Sequence, residues 1–124
     1  MRINKKEVPV VLESPNATMR TKEGLGGMSI CVNSLAKGTD VGPLLEGLIN
    51  DSCHCPHWGY IFKGSMRVKY DDGTEEVLKE GDVYYLPEGH TGVVEEDLEM
   101  LEINPTKQWR EVLDHITRKM EAMQ

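Results

Sequence analysis

No stretch of this sequence is apolar for the roughly 20 residues that a membrane-crossing helix needs. The residues after Met1 do not build the apolar segment of a signal peptide either, because Arg2, Lys5, Lys6 and Glu7 interrupt it. Cysteine is scarce and odd in number: Cys31, Cys53 and Cys55. Cys53 and Cys55 stand too close in sequence for an unstrained bridge, which argues against a disulfide-stapled secreted module. A reduced, cytoplasmic chain is expected instead. Cations are in deficit, with 14 Lys plus Arg against 21 Asp plus Glu and a net charge of −7. Nucleic acids and anionic membrane surfaces both require a cationic footprint, so neither is expected as a partner. Nucleophile elbow, phosphate loop, Cys-x-x-Cys pair and internal repeat are also missing.

The 124 residues, 39% hydrophobic and 28% charged, match one ordinary globular domain spanning 1–124. Apolar runs alternate with turn residues. Met28–Asn33 reads as a strand entered from a flexible Gly24–Gly27 stretch, and Pro43–Leu48 as a loop or a single helical turn. Trp58–Phe62 and Ser65–Tyr70 read as a hairpin closed by Lys63-Gly64. Further turns are expected at Asp71–Thr74, Glu80–Asp82, Pro87–Gly89 and Glu95–Asp97, the last returning the chain into Leu98–Ile103. Short strands at this spacing predict an all-β sandwich or barrel. From Thr106 to Met123 the period changes: Trp109, Val112, Leu113, Ile116, Met120 and Met123 fall on one face of an amphipathic helix. Asn104 or Thr106 is its candidate N-cap, and its apolar face has either the barrel or a partner subunit to cover.

The stretch Gly81-Asp-Val-Tyr-Tyr-Leu-Pro87-Glu-Gly89 resembles the second motif of the cupin superfamily, G-x5-P-x-G-x2-H-x3-N. Tyr60–Val68 resembles the end of the first cupin motif, and Cys53–Tyr60 resembles a run found in some small bacterial cupins. The resemblance covers roughly Cys53 to Ile103. It implies an antiparallel cupin barrel, a double-stranded β-helix or jelly roll, with its core at about 28–103 and the helix at about 106–123. It also implies a homodimer, since cupins commonly pair. A cupin's first motif offers two histidines and a glutamate and its second one more histidine. Counting back from Gly64 puts His57 in the glutamate's place, while Gly92 takes the last histidine's place and His90 precedes it. The usual ligand set is therefore altered.

The run Cys53-His-Cys-Pro-His57 supplies other ligands. Strand alternation would send Cys53, Cys55 and His57 to one side and His54 to the other, with Pro56 bending the chain and His90 arriving from the neighbouring strand. Two thiolates and two imidazoles suit a divalent transition metal, zinc first, with iron or nickel as alternatives. Cys31 reads as a core cysteine, and His54 and His115 as structural or exposed. Trp58, Tyr60 and Phe62 are candidates for a pocket wall, and Arg67 or Lys69 for an anionic substrate. Two functions fit this set: a metal-dependent enzyme on a small organic molecule, or a non-catalytic binding or sensing module. Thiolate ligands make an oxygenase the less natural enzyme.

Overall fold

A computed structural model describes residues 1–123. Seven strands, β1 (Val10–Ser14), β2 (Ala17–Leu25), β3 (Met28–Leu35), β4 (His57–Tyr70), β5 (Glu75–Lys79), β6 (Val83–Leu86) and β7 (His90–Pro105), form one antiparallel sheet in the order β1-β2-β3-β7-β4-β5. Strand β4 pairs with β7 along one edge; on the other, residues 57–60 take β6 and residues 65–69 take β5. The sheet curls in the manner of a barrel without closing into a ring.

The expected hairpin at Lys63-Gly64 is not formed; β4 runs unbroken through it. Gly64 (φ 81°) sits where the β4–β7 register shifts, so the glycine serves a bulge rather than a turn. A bulge and a hairpin ask for the same left-handed residue, which is why the sequence reads alike for both. The expected return at Glu95–Asp97 is also absent, since these charged residues lie exposed within the 16-residue β7. The sheet begins at Val10 rather than Met28. The polar residues of β2, among them Thr18, Arg20 and Lys22, hide the alternation that marks a strand, and Gly26-Gly27 closes the β2–β3 hairpin. Turns at 71–74, 80–82 and 87–89 stand where expected.

Pro43–Leu48 contains a single helical turn, α1 (Gly42–Leu45). Helix α2 (Thr106–Ala122) buries Trp109, Val112 and Ile116 against its own domain, touching α1, β3 and β7. Its N-cap is Pro105, with no side-chain cap, because Asn104 is engaged elsewhere and Thr106 Oγ1 lies 2.7 Å from Ser29 Oγ. His115 meets the Glu46 carbonyl at 2.8 Å and ties α2 to the segment after α1. One core cluster, including Ile61, Val68 and Val94, fills the sheet's concave side; a second, including Cys31, Cys55, Trp109 and Val112, fills the space beneath α2. No described helix is long and apolar enough to cross a membrane.

Candidate metal centre

Three chain segments bring the site together at one end of the sheet. His57 opens β4 and His90 opens β7. Cys53 is strapped to β7 by backbone bonds: its N–H donates to the His90 carbonyl at 2.8 Å, and its carbonyl accepts from Gly89 N–H at 2.8 Å. The Pro87–Gly89 turn thus places both His90 and Cys53. One ligand atom from each of Cys53, His57 and His90 lies within 4.8 Å of the others, and all three residues are buried.

The geometry suits an ion. Cys53 Sγ and His57 Nε2 are 3.5 Å apart; tetrahedral bonds of about 2.3 Å to sulfur and 2.0–2.1 Å to nitrogen separate such atoms by about the same distance. Each imidazole is oriented through its other nitrogen. His57 Nδ1 is 2.5 Å from Asn104 Oδ1, and His90 Nδ1 is 2.8 Å from the Pro87 carbonyl. Both acceptors require Nδ1 to carry a proton, so both Nε2 atoms face the centre, the arrangement that metal-bound histidines need.

Burial raises the Cys53 thiol, but His57 and His90 outweigh it and hold it down at about 6. Burial lowers His57, yet the nearby Glu102 carboxylate and the cysteines carry it well above the ordinary imidazole range. Both shifts favour a charged Cys53–His57 pair, in which a bound cation would take the place of the proton on His57 Nε2.

Cys55 is not among the three residues whose ligand atoms converge. It is fully buried in the cluster that holds Cys31, its Sγ lies 3.4 Å from the Pro56 carbonyl, and burial raises its pKa against the pull of neighbouring His57. Straight-strand alternation does not apply here, since β4 starts only at His57. Cys31 is a core residue, and His54 is half-buried with Nε2 on the Ile49 carbonyl at 2.7 Å. Trp58 and Tyr60 do not line the interior: with His57 facing inward, they lie on the outer face, where Trp58 stacks on Tyr85 at 5.2 Å. Arg67 and Lys69 are exposed, and Arg67 is answered by Glu95 and Glu75.

Sequence reasoning missed Asn104, Glu102 and Tyr84. Glu102 is 5% exposed, 3.8 Å from His57 Nδ1, and accepts from Tyr84 O–H at 3.0 Å. A signal was present: Leu98, Met100, Glu102 and Asn104 share one alternating, inward face of β7, and polar residues on such a face mark a site.

A cavity of about 290 Å³ adjoins the trio, bounded by the sheet and by Trp109, Val112, Ile116 and Met120 of α2. Its mouth lies at exposed Glu13, Asn16 and Met123. A second hollow, about 320 Å³ around Pro15, Lys63 and Asp97, touches none of the three residues.

No protein-family model matches the sequence, and no curated protein matches it. Solved structures do. An RmlC-like cupin from Shewanella frigidimarina superposes with a TM-score of 0.57 at 14% identity, over 81% of this chain and 86% of the other. The fold is that of a cupin. Ectoine synthase from P. lautus is also similar (TM-score 0.60, 14% identity, 85% of this chain, 78% of the other). So is an iron(II) form of HppE (TM-score 0.58, 10% identity, 84% of this chain, 59% of the other). Within this cupin fold the second motif keeps its turn, and the histidine of this segment is His90, directly after Gly89, while Gly92 lines the cavity.

Proposed function

We propose that this cupin holds one divalent transition-metal ion through Cys53, His57 and His90 and acts on a small organic molecule in the adjoining cavity. The observation that carries the reading is the convergence of both Nε2 atoms on the Cys53 sulfur, each imidazole being fixed through Nδ1. A thiolate with two imidazoles suits zinc first, with iron or nickel as alternatives. Three protein ligands leave a position for substrate, which favours an enzyme over a sensing module. When bound, the ion would supply Lewis acidity at that position. Asn104 and the Pro87 carbonyl keep the imidazoles aimed, the wall of α2 excludes water, and the Glu102 carboxylate, steadied by Tyr84, accepts or returns a proton beside the substrate. Elemental analysis of protein purified without added metal tests the reading. About one ion per chain is expected, lost in Cys53→Ala, His57→Ala and His90→Ala; retention of the ion in all three would sink it. A binding module without metal is the second reading, favoured by the enclosed cavity alone.

Pairing with a second copy is proposed on a different ground from the helix, whose apolar face is spent on its own domain. The outer sheet face exposes Trp58, Tyr60, Val83, Tyr85 and Ile103, side by side across β6, β4 and β7. A contiguous apolar patch of this kind is characteristic of an interface. An isologous contact needs only that one patch on each copy.

A further inference from the structure

The cavity is unusual in what its wall lacks. None of its lining residues is a lysine or arginine, and outside the trio its charged residues are two carboxylates, Glu13 at the mouth and Glu102 beside the trio. Leucine, valine, methionine and tryptophan side chains make up most of the rest. Away from the trio, an anionic molecule would give up its hydration and meet no countercharge on the wall. Two side-chain oxygens on the wall lack a hydrogen-bond partner among the described residues: Thr91 Oγ1, next to His90 in sequence, and Asn33 Oδ1, on β3. Asn33 is the buried residue of the two, at 2% exposed. It pairs across the sheet with Met100, two residues along β7 from Glu102, so it faces the same chamber as the trio. Buried amides are nearly always partnered, and an orphan lining a cavity is a place for a ligand group. Size gives a further bound: a 150 Å³ apolar cavity takes benzene, so about 290 Å³ takes a molecule of about a dozen non-hydrogen atoms.

We infer that the cavity selects an uncharged, mainly hydrocarbon molecule of that size, bearing one hydroxyl or amide group that bonds to Asn33. This rests on taking the cavity as the chamber of the centre proposed above, and it names the substrate class.

Three fluorescent probes of matched size separate the possibilities: 2-naphthol, naphthalene and 2-naphthoate. Each is titrated at pH 7 into the metal-replete protein, the chelator-treated protein and Asn33→Leu, with metal content measured on the same samples. In chelator-treated protein 2-naphthol should bind about tenfold more tightly than naphthalene, the effect of one hydrogen bond. Its margin over 2-naphthoate should be at least as large. Asn33→Leu should erase the advantage of 2-naphthol while leaving naphthalene binding in place, which shows the chamber is intact. Equal binding of 2-naphthoate and 2-naphthol by chelator-treated protein would overturn the inference. So would an unchanged 2-naphthol advantage in Asn33→Leu, or no binding of any probe. Absence of metal from every preparation would instead overturn the metal centre and leave the probe ranking standing.

Discussion

His57 Nδ1 and Asn104 Oδ1 lie 2.5 Å apart, and the same amide donates through Nδ2 to Cys31 Sγ at 3.1 Å. The second bond decides which end of the amide faces the imidazole, and so which nitrogen of His57 is free. Asn104→Leu should therefore weaken metal binding by about 10–100-fold without removing a ligand. Competition against a chromophoric chelator measures this, and wild-type affinity in the variant would contradict it.

The thiols should separate by reactivity. Cys53, held at about 6, ionises as pH rises through that value, so its alkylation in chelator-treated protein should climb between pH 5 and 7 and then level off. Burial pushes the Cys31 thiol far up, and Cys55 is raised as well, so both should stay slow at neutral pH. Bound metal should protect Cys53. Iodoacetamide labelling followed by peptide mass spectrometry reads all three. A Cys53 midpoint near the ordinary thiol range would count against the pairing with His57 and His90.

Cys55→Ala should keep the ion. Its cost is one of packing, about 1 kcal/mol in denaturant unfolding, because Cys55 is fully buried beneath α2. Loss of the ion in this variant alone would restore Cys55 to the ligand set.

Much of this fold is legible in the chain: the glycine and proline turns from Asp71 to Gly89, the helix after Pro105 and the motif that places His90. The misreadings share a cause. Gly64 and Glu95–Asp97 carry turn chemistry inside β4 and β7, where only long-range pairing tells a bulge from a hairpin. The trio itself was half visible. Cys53, His57 and His90 stand out as residue types, but the segment before His57 is not strand, so alternation could not separate Cys53, which joins the two imidazoles, from Cys55. Glu102 and Asn104 were readable only after β7 was known to be one strand.

Two glycines test that distinction. Gly64 and Gly73 both have positive φ, 81° and 88°, but a Cβ on Gly64 would lie 2.0 Å from the Asp97 carbonyl oxygen, and one on Gly73 would meet nothing within 4 Å. Gly73→Ala should cost about 1 kcal/mol. Gly64→Ala should cost about 3 kcal/mol or more, since backbone must move as well. Thermal unfolding of the two variants side by side checks the order, and equal losses would argue for a simple turn at Gly64.

For the outer face, Trp58→Lys combined with Tyr85→Lys should convert the proposed dimer to monomer without altering metal content. Sedimentation velocity at micromolar concentration is the measurement. A wild-type protein that is monomeric throughout that range would refute the pairing.

The indole of Trp109 lies with its ring centre 6.0 Å from that of His57, and its Nε1 donates to Thr21 Oγ1, itself 3.3 Å from Cys31 Sγ. The other tryptophan, Trp58, is 43% exposed, whereas Trp109 is 3% exposed. The protein therefore carries its own optical gauge. Its emission should have a blue component from buried Trp109 and a red one from exposed Trp58. Loading the centre with a paramagnetic ion such as cobalt(II) should quench the blue component and spare the red. Filling of the site can then be followed in real time, with no label added.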